Sequence, residues 1–125
     1  MRPAPIAAML LLVAAVPVLA RDREVPAATP TGEPQLCLDT FQIRESLVRS
    51  DQVIDFVTRG RQVYRNTLDQ ACPRLGIEQR FTYQTTISRL CASDIITVLN
   101  TTPLLSQGAA CGLGKFQPVT LTARR

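Results

Sequence analysis

Apolar and polar residues alternate along much of the chain between residues 41 and 121, and this two-residue period predicts β-strands rather than helices. In residues 81–87, for example, apolar Phe81, Tyr83 and Ile87 fall on one face of the predicted strand. Residues 52–58 and 95–99 are apolar on both faces, which is typical of a strand in a sandwich or a closed barrel. The predicted strands are residues 41–48, 52–58, 62–68, 81–87, 95–99 and 113–121.

Turn-forming residues separate these strands. Arg59-Gly60 predicts a left-handed position in a tight hairpin. Residues 73–77 predict a loop or a single helical turn, and residues 100–110 predict a polar loop. Pro118 cannot donate to a sheet ladder, so the last strand is expected at an edge or a bulge. The expected fold is mainly β: a single small antiparallel sheet, sandwich or barrel-like domain of about six short strands.

The first twenty residues have the pattern of a cleavable signal peptide. Arg2 precedes an apolar run over residues 6–16, and small or apolar residues end the segment at Ala20. The run is shorter than the roughly 20 apolar residues that a membrane anchor needs. We therefore expect an exported chain, periplasmic or secreted, with no membrane span after cleavage.

The composition divides the rest of the chain into three parts. Residues 21–36 contain three prolines and few large apolar side chains, so they predict a flexible linker. Residues 37–121 form the predicted β domain and residues 122–125 a short tail. A domain of this length has only a modest core, so reinforcement beyond packing is expected.

Four cysteines, Cys37, Cys72, Cys91 and Cys111, provide that reinforcement. An even number of cysteines in an exported chain predicts two disulfides. A zinc site is disfavoured because its ligands usually come in close C-x-x-C pairs, which this chain lacks. Spacing leaves three pairings open. A simple meander would place Cys37 and Cys72 at opposite ends of the sheet, so Cys72–Cys91 with Cys37–Cys111 is slightly preferred.

The chain has no histidine, which excludes Ser-His-Asp and Cys-His nucleophile activation and most catalytic zinc sites. Carboxylate chemistry would have to use Asp51, Asp55 or Asp94. Asp51 and Asp55 are predicted in ordinary solvated positions, and Asp94 as a turn residue that accepts from nearby backbone amides. The sequence therefore predicts no catalytic residues, no metal, no cofactor and no enzymatic activity.

Charge gives the only indication of a partner. The chain has a net charge of +4, and Lys115 is its only lysine. Four arginines gather on and beside the predicted hairpin: Arg44, Arg59, Arg61 and Arg65. Arginine binds phosphate and carboxylate groups through two parallel hydrogen bonds. These residues are therefore candidates for an anion-binding site, the alternative being an ordinary solvated face diluted by acidic neighbours.

Short motifs around the cysteines resemble those of a family of small exported proteobacterial proteins of unknown function. They are Tyr64-Arg65-Asn66-x-Leu68, Cys72-Pro73-x-Leu75, Leu90-Cys91-x-x-Asp94-Ile95-Ile96-x-Val98 and Cys111-x-Leu113-Gly114-x-Phe116-x-Pro118. The resemblance covers roughly residues 37–120. It implies a periplasmic or envelope location and makes the cysteines and Asp94 framework positions. It supplies no activity.

Two functional hypotheses follow, with a weaker third. The first is a structural or binding module, for which an anionic envelope component is the candidate partner. The second is an inhibitor or accessory subunit of an envelope enzyme. The third is a hydrolase that uses Asp94. Nucleic acid is a poor candidate partner, because the chain is predicted to be exported and has no interleaved aromatic and basic pattern.

Overall fold

The computed structural model describes residues 3–4, 25–85 and 87–122. The predicted signal peptide, apart from two of its residues, lies outside this range. Residues 21–24 of the predicted linker and residues 123–125 of the predicted tail also lie outside it.

The described residues form a mainly antiparallel β structure, which confirms the predicted fold class. It has ten strands rather than about six, because several short segments without clear alternation also pair. In chain order the strands are β1 (Ala28–Pro30), β2 (Cys37–Asp39), β3 (Ile43–Val48), β4 (Val53–Thr58), β5 (Val63–Thr67), β6 (Phe81–Tyr83), β7 (Arg89–Cys91), β8 (Ile95–Asn100), β9 (Ser106–Gly112) and β10 (Phe116–Leu121). A 3-10 turn, Thr40–Gln42, precedes β3, and a single helical turn, α1 (Leu75–Glu78), lies between β5 and β6.

The strands form two sheets and a separate ribbon. The larger sheet has the order β1-β10-β5-β4-β3, the smaller has the order β6-β8-β9, and β2 pairs with β7. Phe56 of the larger sheet contacts Phe81 of the smaller one edge-on, with ring centroids 6.3 Å apart. The apolar faces of the two sheets therefore pack against each other, as in a sandwich.

One core joins all of these elements. Its fully buried apolar side chains come from both sheets, the ribbon and α1, and include Ile54, Phe56, Leu75, Leu90, Ile96, Val98 and Phe116. The buried Asn66 amide donates to the carbonyl of Gly114 at 2.7 Å and accepts from its N–H at 2.8 Å. A Cβ at position 114 would clash with the Thr67 carbonyl, so glycine is needed where this connection crosses β5.

Both predicted disulfides are present, but the preferred pairing was wrong. The bonds are Cys37–Cys91 and Cys72–Cys111. The preference assumed a single meander, whereas β2 leaves the main sheet and pairs with β7, which places Cys37 directly opposite Cys91. Cys72 lies between β5 and α1, within the core cluster, and Cys111 of β9 packs against that cluster.

Several local predictions also need correction. The last strand was expected at an edge or a bulge, but β10 is an inner strand, because β1 pairs with one side of it and β5 with the other. Of the predicted strand at residues 81–87 only β6 (Phe81–Tyr83) is present. Part of the predicted flexible linker is a strand, because β1 pairs with β10, and Gln35 bridges to Phe116. Residues 106–110 of the predicted polar loop belong to β9, which pairs with β8. In the β4–β5 hairpin the residue with positive φ is Arg61 (φ 64°) rather than a glycine.

Candidate functional site

The β4–β5 turn places two arginines at one end of the larger sheet. The Thr58 N–H donates to the carbonyl of Gln62 at 2.9 Å, and the Arg61 N–H donates to the carbonyl of Thr58 at 2.9 Å. These bonds hold the backbone of the turn, and the side chains of Arg59 and Arg61 are exposed. The turn therefore carries two exposed positive charges on a hydrogen-bonded backbone.

The start of β3 adds a third arginine beside this turn. The Arg59 N–H donates to the carbonyl of Gln42 at 2.9 Å, and the Arg59 Nε donates to the carbonyl of Phe41 at 2.8 Å. Arg44 lies in the irregularity of the β3–β4 pairing between Ile43 and Glu45, and it is exposed. Arg44 and Arg59 line one shallow depression together with Ile43. We call Arg44, Arg59 and Arg61 the basic end.

Arg65, the fourth predicted member, lies elsewhere. Its guanidinium donates to both oxygens of Asp55, at 2.8 and 3.0 Å, and Arg49 Nε donates to Asp55 Oδ2 at 2.9 Å. The Asp55 side chain is 0% exposed, so its prediction as a solvated residue was wrong. Arg65 is directly opposite Asp55 in the β4–β5 ladder, and its two hydrogen bonds with Asp55 remove it from the ligand-binding set.

The other two candidate carboxylates have structural roles. Asp94 Oδ2 accepts from the Cys91 N–H at 2.7 Å, which confirms the prediction of a turn aspartate. Asp51 Oδ1 accepts from the Gly76 N–H at 2.7 Å and so ties the β3–β4 turn to α1. In the described ranges no group of three His, Cys, Asp or Glu side chains could hold a metal ion.

The carboxylate of Glu78 accepts three hydrogen bonds that shift its pKa. One oxygen accepts from Arg74 at 2.8 Å, and the other accepts from the Thr101 hydroxyl at 2.9 Å and the Thr101 N–H at 3.2 Å. The hydrogen bond from Arg74, followed by those from Thr101, lowers the pKa of Glu78 below its usual value. Glu78 thereby fastens α1 to the β8–β9 connection, away from the basic end.

Phe41 is a feature of the site that the alternation pattern misplaced. It was predicted to begin the strand at residues 41–48, but it lies in the 3-10 turn and its side chain is 67% exposed. The available sequence signal was Asp39, whose Oδ1 accepts from the Phe41 N–H at 2.9 Å and caps the turn. This places an exposed aromatic ring beside Arg59.

These features define a disulfide-bonded antiparallel β domain with a basic end. The two disulfides indicate an oxidising compartment. Among the described residues no helix is long and apolar enough to cross a membrane. Comparison of the chain with protein-family models, with curated proteins and with solved structures gives no match.

Proposed function

We propose that the protein is an exported, periplasmic or secreted binding module whose basic end engages an anionic component of the cell envelope. The observation that carries this proposal is the clustering of three exposed arginines that form no salt bridge with any described acidic residue. By contrast, salt bridges to Asp55 or Glu78 are formed by three arginines outside the basic end, namely Arg49, Arg65 and Arg74.

The geometry of the basic end suits an anion with several charges. Hydrogen bonding of Arg59 Nε to the Phe41 carbonyl orients its guanidinium and leaves the two terminal amino groups free of protein partners within the described residues. A guanidinium held in this way loses less conformational entropy when it binds a phosphate or carboxylate. Arg44 and Arg61 lie on adjoining segments and supply further positive charge to the same ligand.

The test compares two variants that lose positive charge at different places. One is the triple variant Arg44→Gln/Arg59→Gln/Arg61→Asn, in which asparagine suits the left-handed backbone of residue 61. The control is Arg80→Gln/Lys115→Gln, which removes two exposed positive charges that lie outside the basic end and form no salt bridge with a described residue. The measurement is the equilibrium affinity of each oxidised protein for inorganic polyphosphate at low and at physiological salt.

We expect the triple variant to bind polyphosphate about tenfold more weakly than the wild type, since each exposed ionic contact contributes roughly 0.5 kcal/mol. The control should lose about threefold or less. Added salt should weaken wild-type binding because it screens these charges. Equal losses of binding free energy per removed charge in the two variants would mean that net charge alone drives binding, and the proposed site would be wrong.

A further inference from the structure

We infer that the anionic partner is a phospholipid bilayer surface, with Phe41 entering the headgroup layer while the arginines of the basic end bind lipid phosphates. This inference rests on the proposed function and names its ligand. It depends on the exposure of the Phe41 side chain, the fixed backbone of this residue and the residues that surround it.

Phe41 is exceptional among the aromatic residues of the chain. The other five, Phe56, Tyr64, Phe81, Tyr83 and Phe116, are buried or half-buried. Phe41 is 67% exposed, so its ring contributes little to the core. A folded protein gains by burying a phenylalanine side chain, and leaving one in water gives up that stabilisation. An aromatic ring exposed next to a cationic cluster fits a surface that has both apolar and anionic groups.

The backbone at Phe41 is held on both sides. Its N–H donates to Asp39 Oδ1 at 2.9 Å, and its carbonyl accepts from Arg59 Nε at 2.8 Å. Asp39 belongs to β2, which the Cys37–Cys91 disulfide joins to β7. The Phe41 backbone is therefore fixed before binding, and its carbonyl is hydrogen-bonded to Arg59 of the basic end. Such preorganisation lowers the entropic cost of docking.

A second apolar side chain and another arginine adjoin the same region. The Thr40 N–H donates to the carbonyl of Ser88 at 3.0 Å, which places the turn containing Phe41 beside residues 87–89. Ile87 is 61% exposed, and Arg89 is also exposed. This end of the molecule thus combines Phe41 and Ile87 with exposed guanidinium groups.

The combination favours a bilayer over a polyanion in solution. Aromatic side chains are stable at the boundary between headgroups and acyl chains, and arginines near an anionic leaflet are attracted to its phosphates. A polyphosphate chain can use the arginines but has nothing apolar for Phe41 to contact. Binding to lipid should therefore depend on Phe41, whereas binding to polyphosphate should not.

The experiment measures each oxidised protein on two probes. The first is vesicles of equal parts phosphatidylglycerol and phosphatidylcholine, with pure phosphatidylcholine vesicles as reference, and the second is inorganic polyphosphate. The test variant is Phe41→Ser. The control is Leu104→Ser, which removes a side chain that is 77% exposed on the β8–β9 connection. Non-reducing electrophoresis and circular dichroism check that both variants keep the native disulfides and fold.

We expect Phe41→Ser to bind the anionic vesicles about tenfold more weakly, as the loss of one partly inserted aromatic ring implies. Its polyphosphate affinity should stay within about twofold of the wild type, and Leu104→Ser should resemble the wild type on both probes. Wild-type vesicle affinity in Phe41→Ser, or an equal loss on both probes, would overturn the bilayer inference alone. Failure of the basic-end triple variant to lose polyphosphate affinity would instead overturn the proposed function.

Discussion

Two arginines from different segments of the chain form ion pairs with the buried carboxylate of Asp55. Arg49 follows β3 and Arg65 lies in β5, so the ion pairs cross the β3–β4–β5 part of the larger sheet. Because successive residues of a strand point to opposite faces, Arg65 lies on the other face of β5 from Tyr64 and Asn66. Burial of Asp55 was not predictable from that pattern, because it depends on which residues the neighbouring strands bring alongside it.

Asp55→Ala should lower the free energy of unfolding by about 3 kcal/mol, the lower end for breaking a buried ion pair, because both arginines keep some contact with solvent. Urea unfolding at neutral pH measures this change in the free energy of unfolding. Asp69→Ala, which removes an exposed aspartate, is the matched control and should change stability by about 0.5 kcal/mol or less. Similar small losses in the two variants would contradict a structural role for the Asp55 pair.

At the scale of the elements, sequence patterns predicted β4, β5 and β8, but the alternation over residues 81–87 predicted a strand of which only β6 (Phe81–Tyr83) is present. β4, β5 and β8 lie within one residue of their predicted limits. β9 was missed because its sequence, Ser-Gln-Gly-Ala-Ala-Cys-Gly, has small side chains and no clear apolar face. β1 was missed because its pairing depends on β10 rather than on any local signal.

The contact between α1 and the β8–β9 connection should respond to acid through Glu78. Its pKa is lowered in the folded protein, so ionised Glu78 contributes stability above its ordinary pKa of 4.5, and that contribution is lost as the pH falls through the lowered value. Glu78→Gln keeps the shape of the side chain but cannot ionise. We expect the wild type to have the higher melting temperature at neutral pH, with the difference shrinking below pH 4.5.

Thermal unfolding of both proteins from about neutral pH to about pH 3 tests this. In a Thr101→Val background, the loss of melting temperature caused by Glu78→Gln at neutral pH should be smaller, since Thr101→Val removes one of the hydrogen bonds to Glu78. A difference between wild type and Glu78→Gln that stays constant over the whole range would contradict the assigned role.

At the scale of the whole molecule, two interleaved disulfides join distant parts of the chain, and Cys72 of one of them lies in the core cluster against which Cys111 packs. Each closes a long loop, and chain entropy alone gives about 4 kcal/mol of stabilisation per bond. That disulfides form was predictable from the number of cysteines. Their pairing was not predictable, because the β2–β7 register places Cys37 opposite Cys91. The residues around Cys37 have no alternating pattern that would predict this ribbon.

The Cys37–Cys91 bond also links the scaffold to the proposed binding surface, because it closes the ribbon whose Asp39 positions Phe41. Peptide mapping of the native protein by mass spectrometry without reduction tests this disulfide pairing most directly. We expect cross-linked peptides that join Cys37 to Cys91 and Cys72 to Cys111. Peptides that join Cys72 to Cys91 and Cys37 to Cys111, or four free thiols in a folded chain, would contradict it.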